Sequence, residues 1–288
     1  MIISIASGKG GTGKTTVATA LAQSIEHVQF LDCDVEEPNA HLFLKPEREH
    51  IETVYVSVPE FDRNLCTYCG ACGKICQFNA IVSVKKSILL FPQLCHSCGG
   101  CICVCPSGAL REAKRETGVI ESGRSGNIEF HHGILNIGEA KSPPLIKELK
   151  KKIKNNLTVI IDCPPGTSCP VVASVRGTDF ILLVTEPTPF GLNDLKLAVH
   201  LARSLNIPFS VVINRADMGD NRVKEYCEVE HIPVLMEIPD DRRVAEGYSR
   251  GNTLLDILPE LKVKFIKLFE DIKKLCHITN KYPGGEKQ

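Results

Sequence analysis

The sequence predicts an α/β fold, a doubly wound and mostly parallel sheet interrupted by a small inserted α+β unit. Three observations predict it. Short apolar runs begin at Ile2, Val28, Leu157, Phe180, Phe209 and Val234, and helical patterns separate them. That alternation is what a parallel sheet with helical crossovers needs. A glycine-rich segment, Gly8-Lys9-Gly10-Gly11-Thr12-Gly13-Lys14-Thr15, sits between the first run and an amphipathic stretch opening at Thr16. Finally, nine of the 14 cysteines fall in the 40 residues from Cys66 to Cys105. That density sets residues 60–113 apart from flanks at 1–59 and 114–288.

The first run, Ile2–Ala6, reads as a short buried strand. The segment after it fits G-x4-G-K-[ST] in the context that motif requires, with a strand before and a helix after. Glycines there let backbone N–H groups point at phosphate oxygens, and the helix N-terminus adds its positive dipole end. Residues Gly8 to Thr16 are therefore the expected phosphate cradle of a nucleotide. Lys14 is expected at the β- and γ-phosphates and the Thr15 hydroxyl at Mg²⁺. Phe30-Leu31-Asp32-Cys33-Asp34 ends a second strand in two carboxylates. Leu157 to Asp162 is a buried run ending in a carboxylate expected to hold Mg²⁺, and Cys163-Pro164-Pro165-Gly166 follows it. The fifth run ends in Asn214-Arg215-Ala216-Asp217, and the sixth leads into Ile238-Pro239-Asp240. All these motifs fall at carboxyl ends of strands, where doubly wound sheets bind ligands. Lys114 to Ile137 reads as strands and turns punctuated by glycines.

The cysteines repeat one spacing: Cys66-x2-Cys69-x2-Cys72-x3-Cys76, then Cys95-x2-Cys98-x2-Cys101-x3-Cys105 with Pro106 after it. This spacing resembles that of bacterial ferredoxins with two [4Fe–4S] clusters, in which the fourth cysteine of each run ligates the other cluster. The resemblance implies one cluster on Cys66, Cys69, Cys72 and Cys105, and a second on Cys76, Cys95, Cys98 and Cys101.

Lys9, inside the variable part of the phosphate loop, marks a deviant form of the motif. With it the chain resembles the family that includes MinD, ParA, the nitrogenase iron protein and Mrp-type ATPases. It resembles in particular the MinD-superfamily ATPases that carry an inserted ferredoxin domain. The resemblance implies a Mg²⁺-dependent ATPase working as an ATP-dependent homodimer, with Lys9 reaching the partner's nucleotide. It further implies that Asp34 orients or activates the attacking water, that Asp32 lies near Mg²⁺ and that the Gly166 amide senses the γ-phosphate. Asn214 would read the base and Pro239-Asp240 close over it. Asn214-Arg215-Ala216-Asp217 also echoes the guanine-reading N-K-x-D motif, so GTP is the alternative to ATP/ADP.

Bulk properties narrow the partners. Lys+Arg and Asp+Glu are both 34, so no net charge points to nucleic acid. Met1 leads straight into a strand and iron–sulfur clusters need a reducing compartment, so a cytoplasmic protein is expected. Cys169 lies seven residues past Asp162, as a bridging cluster ligand does in the nitrogenase iron protein. No second suitable cysteine lies between Lys114 and Asp162, so Cys169 is expected to be a buried structural thiol, and Cys103 a packed one. Cys33, Cys163, Cys227 and Cys276 read as small hydrophobes. The pair His131-His132 reads as a strand or turn feature. The amphipathic stretch Leu261 to Leu275 is expected to pack on the sheet, membrane contact being the alternative reading. Three functions follow: an ATP-gated electron carrier with an unidentified redox partner, a Mrp-type iron–sulfur carrier, and a redox-sensing positioning ATPase.

Overall fold

The computed structural model describes residues 1–281. Eleven strands are formed among them: β1 (Ile2–Ala6), β2 (Val28–Asp32), β3 (Glu47–Phe61), β4 (Ile81–Val84), β5 (Ser87–Leu90), β6 (Leu110–Ser125), β7 (Ile128–Leu135), β8 (Thr158–Asp162), β9 (Phe180–Thr185), β10 (Phe209–Asn214) and β11 (Val234–Ile238). The helices are α1 (Lys14–Gln23), α2 (Ala40–Leu44), α3 (Ala71–Ile75), α4 (Gly100–Cys103), α5 (Pro143–Lys150), α6 (Cys169–Val175), α7 (Pro189–Ser204), α8 (Arg222–Val229), α9 (Arg242–Tyr248), α10 (Leu254–Ile257) and α11 (Lys262–Lys281).

Nine strands form one sheet in the order β11-β10-β9-β1-β8-β2-β7-β6-β3. From β11 through β7 each neighbouring pair is parallel. The order reverses about β1, because β8 and β9 lie on its two sides; that is the topological switch point where such sheets take ligands. The six apolar runs of the sequence are β1, β2, β8, β9, β10 and β11. The first five are buried almost throughout, as strands covered on both faces must be, whereas β11 at the sheet edge buries only Met236 and Ile238.

The chain divides into two compact units. The first holds Met1–Ile51, Ile120–Ile134 and the chain from Ile146 onward; the second holds Glu52–Val119 and Leu135–Leu145. The second is thus longer at both ends than the 60–113 expected from the cysteines, and it gains a separate segment. Strands β3 and β6 contribute residues to both units.

The first unit's core joins α1, the sheet and the last helix through Leu21, Phe30, Phe130, Phe180 and Leu268. Phe265, Leu268, Ile272 and Cys276 on α11 are all buried in it, so the C-terminal amphipathic face is spent on packing. Among the described residues no helix is long and apolar enough to cross a membrane. Phe265→Ala removes a fully buried ring and is expected to cost about 3–5 kcal/mol, read from the urea midpoint at constant m-value. A cost under about 1 kcal/mol would show that α11 is not part of the cooperative core.

The second unit has its own small core. Cys72, Ile81, Cys101 and Leu110 are buried together, with Phe61, Cys76, Ile88, Leu90, Ile102 and Cys105 packed around them. β4 and β5 pair antiparallel as a separate hairpin, Ile81 opposite Leu90.

Candidate nucleotide and cysteine sites

The loop between β1 and α1 is shaped by its glycines. Gly11 and Gly13 have φ of 79° and 89°, the left-handed region open to glycine. A Cβ on Gly13 would also strike the Asn214 side-chain amide, and one on Gly8 would strike the Asp194 carbonyl. Lys14 opens α1 and is 7% exposed. The Thr15 hydroxyl donates to Asp162 Oδ2 at 2.6 Å. Asp162 Oδ1 is buried and has no protein partner among the described residues. A hydroxyl, a carboxylate and an unpartnered carboxylate oxygen beside a phosphate loop are the donor set a magnesium ion takes. Thr15 and Asp162 therefore fit that ion.

The acid groups here are crowded. Burial pushes Asp162 up to about 7, while Lys14 and the Thr15 hydroxyl pull it down and Asp34 pushes it up. Burial likewise pushes Asp34 up to about 6, against the pull of Lys14 and with Glu36 and Glu37 adding to the rise. A bound cation would favour both carboxylates.

Asp32 lies opposite Asp162 in the β2–β8 register. Both its oxygens are taken by the following loop: Oδ1 accepts from the Asp34 amide at 3.1 Å, and Oδ2 from Asn39 at 3.1 Å and Ala40 at 3.0 Å. It shapes the turn that carries Asp34. The Gly166 amide, expected to meet a γ-phosphate, donates to the Ser7 carbonyl at 3.0 Å.

The residues expected at the base gather at the ends of β10 and β11. Asn214 Nδ2 donates to the Thr12 carbonyl at 2.9 Å. The Asp240 amide donates to Asp217 Oδ1 at 2.6 Å, and Ala216 N–H to the Ile238 carbonyl at 2.9 Å, which fixes Pro239 and Asp240 beside Asn214. Thr16 lines a small hollow with Phe43 and Tyr248, whose ring centroids lie 4.5 Å apart. Sequence reasoning missed Tyr248, and it also missed Glu186, the first residue after β9, which takes Lys9 as an ion-pair partner at 3.5 Å.

In the second unit the two cysteine runs fold alike. Tyr68 and Ser97, two residues after the first cysteine of each run, both have φ of 55°. Their amides point at that cysteine's sulfur, at 3.3 Å for Cys66 and 3.4 Å for Cys95. Gly70 and Gly99, both left-handed, start α3 and α4. Cys66, Cys69, Cys72 and Cys105 line one cavity. Cys76, Cys95, Cys98 and Cys101 line another.

The electrostatics group the sulfurs the same way. Burial raises the Cys72 thiol, with Cys66 and Cys105 adding to it; burial raises Cys101, with Cys95 and Cys76 adding. Burial opposes ionisation of Cys76, yet the amides of Phe78, Ile81, Ala80 and Asn79 bring its thiol below the usual range. The sulfurs border cavities rather than converge on a point: among the described residues no three His, Cys, Asp or Glu are placed to hold a single metal ion. Four sulfurs around a volume, with backbone amides turned toward them, fit a cubane cluster.

Two other cysteines depart from expectation. Cys169 is exposed as the first residue of α6, and Cys103 is exposed as the last residue of α4. Cys33, Cys163, Cys227 and Cys276 are buried; burial, with Asp162 close by, pushes Cys163 up to about 12. His131 and His132 lie on β7 against Ser122 and Glu121 of β6, at 2.7 and 3.1 Å, so they are strand residues.

Comparison with known proteins agrees with this geometry. The CobQ/CobB/MinD/ParA nucleotide binding domain matches residues 3–254. An uncharacterized protein of Methanocaldococcus jannaschii is 34% identical, over 95% of this chain and 97% of that one. An iron–sulfur cluster carrier protein of Aquifex aeolicus is 25% identical, over 95% of this chain and 66% of its own length. Among solved structures, the septum site-determining protein MinD with Mg-ADP from Pyrococcus horikoshii shares the fold. Its TM-score is 0.58 at 23% identity, covering 98% of this chain and 99% of that one.

Proposed function

We propose that this chain, which belongs to the CobQ/CobB/MinD/ParA nucleotide-binding family, is an ATP-hydrolysing iron–sulfur protein that couples a nucleotide-driven homodimer to electron transfer. The observation that carries the reading is the joint presence of the Lys14–Thr15–Asp162 constellation and the two cysteine-lined cavities in one chain.

The loop amides of residues 8–15 and Lys14 bind the phosphates. Thr15 and Asp162 hold Mg²⁺. Asp34, carried by the turn that Asp32 shapes, orients the attacking water. Lys9 reaches the nucleotide of a second copy. Asn214 and Asp240 bracket the base. In the second unit the cysteine quartets hold two [4Fe–4S] clusters, which supply one-electron chemistry when bound. Strands β3 and β6, with residues in both units, are the covalent route by which the nucleotide state reaches the clusters.

Anaerobically purified protein is expected to contain ~8 iron and ~8 sulfide per chain, two four-iron clusters. Its one-electron potential is expected to shift by about 60 mV between the ADP and ATP forms, which corresponds to a coupling of about 1.4 kcal/mol. A single zinc per chain overturns the cluster reading. Identical potentials in nucleotide-free, ADP and ATP forms overturn the coupling.

A second reading, a cluster carrier, has one observation in its favour: Cys69 and Cys98, one from each quartet, are exposed. Rapid transfer of iron and sulfide to an apo-ferredoxin would favour it, whereas clusters retained over hours favour electron transfer.

A further inference from the structure

The two cysteine runs are near-copies, so each is a control for the other. The Tyr68 and Ser97 amides meet the first sulfur of each run at 3.3 and 3.4 Å. Left-handed Gly70 and Gly99 start α3 and α4. Burial opposes ionisation of the last cysteine of each run, Cys76 and Cys105, and in both the amides that follow bring the thiol down. Backbone features that the repeat duplicates do little to make the two sites differ. A difference must come from side chains that the repeat does not copy.

Lys141 is such a side chain. Its ammonium donates to the carbonyl of Cys95, the first cysteine of the second run, at 2.7 Å. It comes from outside both runs, on the segment Leu135–Leu145 of the second unit. That segment is held to β6. The Asn136 amide donates to the Thr117 carbonyl at 3.0 Å, and the Glu139 amide to the Asn136 carbonyl at 3.0 Å. The Glu139 carboxylate, 3% exposed, pairs with Arg115. That pair is neutral as a unit, and Lys141 adds one positive charge. The cavity bordered by Cys66, Cys69, Cys72 and Cys105 has no lysine, arginine or histidine in its lining. Two features work the other way. Lys74 stands where the second run has Cys103, but it is exposed and screened by solvent. The Ser107 hydroxyl lies 3.8 Å from Cys105 Sγ, a long contact from a neutral group. The balance of charge favours the second quartet.

A four-iron cluster gains a negative charge when it takes an electron. A fixed positive charge beside it stabilises that form and raises its potential. We propose that Lys141 makes the Cys76, Cys95, Cys98 and Cys101 centre the higher-potential of the two, so that the first electron to enter the chain rests there. The Cys66, Cys69, Cys72 and Cys105 centre then fills second. This rests on the reading that each quartet holds a [4Fe–4S] cluster. Lys141 acts through the Cys95 loop and is a positioning residue, not a ligand.

The test is an anaerobic redox titration of the cluster-loaded full chain with dithionite as the electron donor, followed by electron paramagnetic resonance. Wild type is expected to reduce in two one-electron steps. Cys66→Ala/Cys105→Ala, which keeps the second quartet, is expected to retain the upper step. Lys141→Met is expected to lower the reduction equilibrium constant of the upper step by roughly three- to ten-fold, the scale of one charge near a protein surface. For a one-electron couple that is about 30–60 mV to the negative side. The lower step should stay in place. Lys141→Gln can still donate to the Cys95 carbonyl but carries no charge. It is expected to shift the upper step nearly as far as Lys141→Met, and it serves if the methionine variant loads poorly. Lys141→Arg keeps the charge and should stay within about two-fold of wild type. Coincident steps in wild type, a shift of the lower step alone, or an upper step that ignores the loss of charge overturns the proposal while leaving the two clusters in place. Wild-type protein that takes up only one electron, or that holds zinc, overturns the cluster reading itself.

Discussion

Asp162→Asn is expected to abolish Mg²⁺-dependent hydrolysis and yet to stabilise the metal-free protein at neutral pH. The loss follows from position. Asp162 takes the Thr15 hydroxyl on one oxygen and leaves the other buried and unpartnered beside Lys14. An asparagine there offers a cation a weaker neutral oxygen, and the expected drop is on the order of 10²–10³-fold in rate, several kcal/mol of transition-state stabilisation. The gain follows from sign. Asp162 and Asp34 are raised to about 7 and about 6, chiefly by burial. A carboxyl raised in the folded state binds its proton more tightly there than in the unfolded chain. Its stabilising contribution is whole below the unfolded value, near 4, and is lost as pH rises through 6 and 7. For Asp162 that loss is on the order of a few kcal/mol. In chelator-containing buffer the wild-type melting temperature should therefore fall between pH 5 and 8. The variant, which cannot ionise at this position, should fall less. Hydrolysis within ten-fold of wild type, or melting temperatures that track wild type at every pH, would show that Asp162 is neither the cation's ligand nor a strained carboxylate.

Much of this site was legible because its chemistry is local. A strand, a glycine-rich loop and a helix N-terminus follow one another within the first 23 residues, and the six parallel strands are short runs rich in apolar residues. What was not legible depends on long-range pairing. β3 spans 15 residues, but its first seven, Glu47 to Thr53, are exposed and largely charged, so no alternation announces a strand. The cysteines mark a ligand set rather than the strands that carry it, which is why 60–113 understates a unit beginning at Glu52 and taking in Leu135–Leu145. Glu186 carries no motif; only the fold brings it to Lys9, 177 positions earlier in the chain. Asp32 lies opposite Asp162 as its place at the end of β2 suggests, but the three backbone amides it accepts come from the loop after it and carry no sequence signal. Cys103 and Cys169 were assigned to the interior by elimination, which says nothing of which way a short helix turns.

The cysteine pairing yields the other large effect. Two pairings are compatible with two runs of four: each run serving one cluster, or the last cysteine of each crossing to the other. The lining of the cavities favours the crossed pairing proposed above. Cys105 borders the same space as Cys66, Cys69 and Cys72, and Cys76 the same space as Cys95, Cys98 and Cys101. The backbone gives the reason. α3 stops at Ile75 and Cys76 is extended, with φ of −76° and ψ of 107°, so the fourth cysteine leaves the turn its three predecessors make. Double variants then read the pairing directly. Cys66→Ala/Cys105→Ala strikes one quartet twice and should leave about half the iron, ~4 per chain. Cys66→Ala/Cys76→Ala strikes both quartets and should leave little four-iron cluster at all. Because Cys72 and Cys101 lie in the small core of the second unit, loss of both clusters should also remove the cooperative unfolding of that unit while the nucleotide unit still binds ADP. Sequential pairing predicts the reverse: Cys66→Ala/Cys76→Ala would keep half the iron and Cys66→Ala/Cys105→Ala would lose nearly all of it.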